Sequence, residues 1–204
     1  MKTYILTFKG ESNNTLVESV GGVVVNELSS IPSLLVAKLD VEGKKQLEDN
    51  SSILAIEEDS SEDFPDNIIS FPNKTVGESY ALEQLGVREF WRRGFTGQGI
   101  KVAVMDSGCI NHPNLNISGG INGYDDSVPY SSDFNGHGTH VTGIIAGKGI
   151  DGGTLGVAPN VEMYTIKVDN ATESGNTSYY ISAQIAGMNW AIENNIDIVN
   201  CSFG

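Results

Sequence analysis

The sequence predicts two unlike units in tandem. Residues 1–59 form an α+β unit of the split βαβ, ferredoxin-like kind, and residues 77–204 form an α/β unit on a parallel sheet, with a linker at 60–76 between them. Three observations predict this. Up to residue 59, short β-branched runs and two short polar helical stretches follow one another in the order β-α-β-β-α-β. Residues 60–76 turn to Ser, Glu, Asp and Asn with Pro65 and Pro72, a composition that stays exposed and is readily cut. Beyond it, continuous apolar strands alternate with helical patterns, which implies right-handed βαβ units.

The elements follow in order. Thr3–Phe8 alternates like a strand. Asn13–Val20 is a short helix that Gly21-Gly22 can close in the left-handed conformation. Val23–Glu27 and Leu34–Leu39 are strands on either side of the turn Ser29–Pro32. Asp40 caps a charged helix over Val41–Asp49, and Ile53–Glu57 is the last strand of the first unit. In the second unit, Ala81–Trp91 reads as a helix, Phe95–Gly99 as a turn and Ile100–Met105 as a strand buried on both faces. His137–Gly147 is a helix of small residues and Val161–Val168 a second buried strand. Ser178–Asn195 is a long helix with Ile181, Ile185, Met188 and Ile192 on one face, and Ile196–Asn200 a third strand.

Composition narrows the function classes. Hydrophobic residues make up 39% and charged residues 19%, so the chain is globular. Lys plus Arg number 12 against 26 Asp plus Glu, a net charge of -14, which argues against nucleic acid and against anionic membranes as partners. No run approaches the roughly 18 apolar residues of a membrane span. The start, Met1–Phe8, is too short an apolar stretch for a signal peptide, so synthesis in the cytoplasm is expected, with later secretion left open. Cys109 and Cys201 are too few for a disulfide framework and are read as reduced.

In an open parallel sheet, chemistry gathers at the carboxyl ends of strands. Asp106 stands there, after Lys101–Met105, and Ser107-Gly108 turns the chain sharply behind it. The second element is Asn135-Gly136-His137-Gly138-Thr139-His140-Val141-Thr142-Gly143, in which His137 opens a helix. Gly138 would keep a side chain away from an approaching substrate, and Gly143 would allow close helix–sheet packing. A histidine so placed can give one ring nitrogen to Asp106 and present the other to a nucleophile. Taken singly, Asp106 reads equally as a loop cap and His137 as a structural histidine. A zinc reading of His137, His140 and His112 fails, because the i, i+4 spacing and the accompanying glutamate are missing.

Together, Val102–Gly108 resembles the aspartate motif of the subtilisin-like serine proteases, and His137–Gly143 resembles their histidine motif. Gly156-Val157-Ala158-Pro159 and Asn200-Cys201-Ser202-Phe203-Gly204 are similar to further segments of that family, and Tyr4–Lys9, Gly21-Gly22 and Ile56–Asp59 are similar to its propeptide. The resemblance implies an α/β subtilisin-like domain, incomplete at its C-terminus, behind a propeptide that inhibits it intramolecularly. It implies a serine endopeptidase acting on protein and peptide substrates, with Asp106 orienting His137 as general base. Substrate would lie as an extended strand along Ser174-Gly175-Asn176 and Ser202-Phe203-Gly204. Glu57, Glu58 and Asp59 would cap helix N-termini of the protease.

The chain departs from the family's motifs. It has no Gly-Thr-Ser serine motif and no oxyanion-asparagine motif, so it is expected to be inactive alone and poorly soluble. Ser202 is rejected as a substitute, because it lacks the strained elbow and following helix of a nucleophile. The chemistry needs no cofactor. The family's structural calcium is admitted at the loop Gly149–Thr154, where Asp151 supplies a carboxylate. However, the residue after His112-Pro113, an aspartate in the family, is Asn114 here. The alternative is a non-catalytic protein, a protease inhibitor or split partner, which would have no need of both Asp106 and His137.

Overall fold

The computed structural model describes residues 1–63, 80–150, 153–171 and 178–203. The first unit runs β1 Lys2–Phe8, α1 Asn14–Ser19, β2 Val23–Glu27, β3 Leu34–Leu39, α2 Val41–Glu48 and β4 Ile53–Glu58. The predicted order β-α-β-β-α-β is present. The strands hydrogen-bond in the order β2-β3-β1-β4, every pair antiparallel. The caps are those the sequence supplies. Asn13 accepts from the Leu16 amide, Asp40 accepts from the Gly43 amide, and Gly21 takes a φ of 78° behind α1. Tyr4, Leu6 and Phe8 of β1 alternate onto the helix-covered face and meet Val17, Leu35, Leu39 and Leu47 in one core.

The second unit holds α3 Tyr80–Gln84, α4 Val87–Arg92, β6 Lys101–Asp106, β7 Ile117–Asn122, α5 His137–Ala146, β8 Glu162–Lys167, α6 Ile181–Glu193 and β10 Ile198–Cys201. Its sheet is parallel throughout, in the order β10-β6-β8-β7. Strand β6 is buried on both faces and so carries no polar alternation. Val102 and Val104 pack with Ala146 of α5, while Ala103 and Met105 pack with Ala183 and Ala191 of α6. The helices therefore cover opposite faces. Among the described residues no helix is long and apolar enough to cross a membrane.

Four local expectations need correction. The single helix over Ala81–Trp91 is two, because Gly86 between them takes a φ of 67° that ends α3. The expected helix from Ser178 begins only at Ile181. Ser178–Tyr180 is instead a short strand, β9, and it pairs antiparallel with Ser61–Asp63, β5, which the sequence reads as linker. This strand of the second unit supplies backbone partners that composition does not reveal. Strand β7 was not foreseen, since Ile117-Ser118-Gly119-Gly120-Ile121-Asn122 lacks β-forming residues at its centre.

The fourth concerns glycine. Gly143 faces open space, so it is not the close-packing residue of the second unit. That residue is Gly187 in α6, where a Cβ would stand 2.4 Å from Ile166 Cγ2 and 3.0 Å from Met105 Cε. Gly187→Ala is expected to destabilise the protein by about 1–3 kcal/mol, read from denaturant unfolding, because the buried Ile166 cannot give way.

Candidate active site

The parallel register sets Asp106, the last residue of β6, beside Lys167, the last residue of β8. Strand β10 ends at Cys201, opposite Met105. Three strand ends thus open on one edge of the sheet, the side on which open α/β sheets place their chemistry.

Asp106 is fully buried. Its Oδ1 accepts from the Ser107 amide at 2.7 Å, and His137 Nδ1 lies 2.8 Å from Oδ1 and 2.9 Å from Oδ2. An ionised carboxylate has no donor, so the proton between them is on Nδ1. In the neutral ring Nε2 then carries the lone pair. Burial pushes the Asp106 carboxyl above its ordinary value, and the hydrogen bonds from His137 and from the Ser107 amide pull it back down. The His137 side chain keeps 21% of its surface exposed, so the ring bridges the buried acid and the protein surface.

His137 is held by the way its helix begins. Gly136, ahead of α5, has no side chain to cap it, yet all three leading amides have acceptors. The His137 amide donates to Asn135 Oδ1 at 3.2 Å, Gly138 to Ser107 Oγ at 2.9 Å and Thr139 to Asp133 Oδ2 at 2.9 Å. Asp133 also accepts from the Gly136 amide, the Ser107 hydroxyl and the Thr139 hydroxyl. One carboxylate thereby locks the turn before His137 to the turn after Asp106. A Cβ on Gly138 would stand 2.1 Å from the Gly108 carbonyl oxygen and 3.1 Å from Asp106 Cβ. The approach of helix to strand end by itself requires glycine at 138.

Lys167 lies beneath this pair, 1% exposed, and donates to the Ser107 carbonyl at 2.8 Å and to Asp169. Burial pushes the Asp169 carboxyl up to about 6, against the pull of the Lys167 ammonium. Its Oδ2 has no hydrogen-bond partner among the described residues, which suits a carboxyl that holds a proton readily. Asp133, Lys167 and Asp169 are not singled out by the sequence, and Ser107 is singled out only for the turn behind Asp106. An acid four residues ahead of His137 was the one local signal available for Asp133.

The other expected site residues fall as follows. Ser202 and Phe203 follow β10 at the same sheet edge. Phe203 packs its ring against Tyr179 at 4.8 Å, and the Ser202 hydroxyl accepts from Asn200 Nδ2 at 2.8 Å. Ser174, Gly175, Asn176, Gly204 and Asp151 lie outside the described residues. Of the acidic trio, Asp59 alone caps a helix. It accepts from the Ser182 amide at 2.9 Å and from the Ser182 hydroxyl at 2.5 Å at the start of α6. Glu58 pairs instead with Lys2 and Glu57 is exposed. Cys109 and Cys201 are free thiols. Burial raises both, Cys109 to about 11, which removes it as a thiolate nucleophile. No cluster of three or more His, Cys, Asp or Glu that could hold a metal occurs among the described residues.

An acid-oriented histidine whose second nitrogen acts as a base can activate a hydroxyl or thiol for acyl transfer. The subtilase family model matches residues 97–204. Subtilisin E of Bacillus subtilis (strain 168) is 32% identical over 212 residues, covering 100% of this chain and 52% of its own length. The alkaline protease of Alkalihalobacillus alcalophilus is 37% identical over 189 residues, covering 92% of this chain and 45% of its own. Among solved structures, fervidolysin from Fervidobacterium pennivorans, a keratinolytic enzyme related to subtilisin, matches with a TM-score of 0.72 at 26% identity, over 100% of this chain and 36% of that one. The chain spans about half the length, or less, of these relatives.

The Asp169 carboxyl gives a pH signature. A raised acid holds its proton more tightly folded than unfolded, so its stabilising contribution is present below the ordinary value of 3.8 and lost as pH rises through about 6. Asp169→Asn is expected to remove that fall. The check is the unfolding free energy of both proteins across this window, where the native minus variant difference should decrease with pH.

Proposed function

The chain belongs to the subtilase family of serine proteases, and from that premise we propose that the whole protein is a serine endopeptidase made as a zymogen. In this reading residues 1–59 are a ferredoxin-like inhibitory propeptide, 60–76 carry the processing site, and 77–204 are the first part of the catalytic domain. The observation that carries it is the contact of His137 Nδ1 with both oxygens of the buried Asp106, at 2.8 and 2.9 Å.

Asp106 holds the imidazole in the tautomer whose Nε2 is the base. A serine supplied from beyond Gly204 attacks the peptide carbonyl as Nε2 takes its proton. Asp106 then stabilises the imidazolium, which returns the proton to the leaving amine. We assign no step to a cofactor. Ser202 is not the nucleophile in this scheme. Substrate would enter as an extended strand near Ser202 and Phe203, with Ser174-Gly175-Asn176 as the second edge.

The propeptide reading is supported by how the first unit holds the second. Tyr180, ahead of α6, offers no side-chain cap, and Asp59 of the first unit supplies it. The loop after β2 grips the same helix, with the Ser30 amide on Asn189 Oδ1 at 2.8 Å and Ser29 on Glu193. Strand β5 then adds to β9 as an extended peptide would. Ile198 of the outer strand β10 is 54% exposed and Ile192 of α6 is 56% exposed, apolar surface that the rest of a longer catalytic domain would cover. The rival reading, a non-catalytic inhibitor, gives no reason for the Asp106–His137 contact.

The test is self-processing of the protein expressed from its complete gene. The native protein should be cut between residues 60 and 80 and hydrolyse peptides. His137→Ala should remain uncut, and Asp106→Asn should lose about 10⁴-fold in kcat. A native protein that stays intact and inert overturns the enzyme reading.

A further inference from the structure

The sequence admits calcium at the loop after α5, and the side chain at the position of the family's aspartate, Asn114, turns an N–H as well as an oxygen toward that loop. Asn114 is buried, 6% exposed, on the segment that leaves Asp106. Its backbone carbonyl accepts from the Lys148 amide at 2.9 Å and its Oδ1 from the Ile150 amide at 2.9 Å, while its Nδ2 donates to the Thr154 carbonyl at 2.8 Å. The loop is pinched shut behind it, with Lys148 bridging Leu155 and the Gly156 amide on the Gly147 carbonyl at 2.8 Å.

The two ends of this amide are not interchangeable. Turning it over would set an N–H against the Ile150 N–H and an oxygen against the Thr154 oxygen, so the neighbours fix which atom is which. Space is as tight as polarity. A Cβ on Gly153 would stand 2.5 Å from Asn114 Cγ, and one on Gly147 would stand 2.9 Å from Nδ2. A hard cation between residue 114 and the Thr154 carbonyl needs oxygen lone pairs from both. Here one side presents N–H, so the described residues do not fit an ion at that position.

We propose that the Asn114 amide stands in place of a bound divalent cation in holding Lys148 and Ile150 against Thr154, so that these contacts form without metal. The closure has a positional consequence. It joins the segment leaving Asp106 to the C-terminal end of α5, whose first residue is His137, so the two arms of the site are tied at the end remote from the Asp106–His137 contact. An aspartate at 114 would face the Thr154 carbonyl with oxygen against oxygen, and a cation would relieve it.

Hydrogen exchange at the Lys148 and Ile150 amides tests this. It would be measured by mass spectrometry on the complete protein carrying His137→Ala to prevent self-digestion, in EDTA and in millimolar calcium. With Asn114 the exchange should be slow and equal within about twofold in both buffers. Asn114→Ala should exchange about tenfold faster or more in both, and Asn114→Asp fast in EDTA but slow in calcium. Protection of the Asn114 protein that appears only with calcium overturns the proposal, as does an alanine variant as protected as its parent. Should the alanine variant not fold, the asparagine and aspartate proteins decide it alone. The readout does not involve proteolysis, so it stands or falls independently of the enzymatic reading.

Discussion

A carboxylate removed from water at the end of β6 constrains everything around it. Left to itself a buried Asp106 would take up a proton and cease to be useful, and burial does raise its carboxyl. The His137 Nδ1–H and the Ser107 amide are the groups that favour its ionised form. Both are delivered by backbone turns rather than by long side chains, so the arrangement is stiff. The parallel sheet makes the delivery feasible, because Asp106, Ser202 and the Lys167 that supports the Ser107 carbonyl all leave strands at the same edge.

The placement of His137 follows from satisfying the start of α5. A helix opening on Gly136 has no cap of its own, and its three leading amides take acceptors from Asn135, Ser107 and Asp133. The Ser107 and Asp133 bonds also tie the helix to the turn after Asp106. Orientation of the imidazole and stability of the helix are therefore one property, and Gly138 is the residue whose missing side chain lets the two backbones meet.

The first unit was legible almost throughout, since its strands alternate cleanly and Asn13, Asp40 and Gly21 mark the helix ends in the local sequence. Asp106 and His137 were legible because each sits at a junction that composition reveals, an apolar run ending in acid and a glycine-flanked histidine opening a helix. What stayed hidden was non-local. The pairing of Ser61–Asp63 with Ser178–Tyr180 depends on two segments far apart in the chain, and neither carries a strand pattern of its own. Asp133 and Asp169 gain their roles from partners on other elements, and no periodicity records that. Gly143 and Gly187 are alike in sequence and differ only in what packs above them.

The contacts between the units give the inhibitory reading its physical content. Asp59 completes a helix that the second unit cannot cap, so the first unit gains a docking point on charge and hydrogen bonding rather than on a large apolar face. All of this has a purpose only if the histidine base serves a serine. The most direct test is to treat the processed protein with a phosphonofluoridate serine reagent and map the adduct. The account requires a single adduct on a serine C-terminal to Gly204, formed only when His137 is intact. No adduct, or an adduct on Ser107 or Ser202, would contradict it.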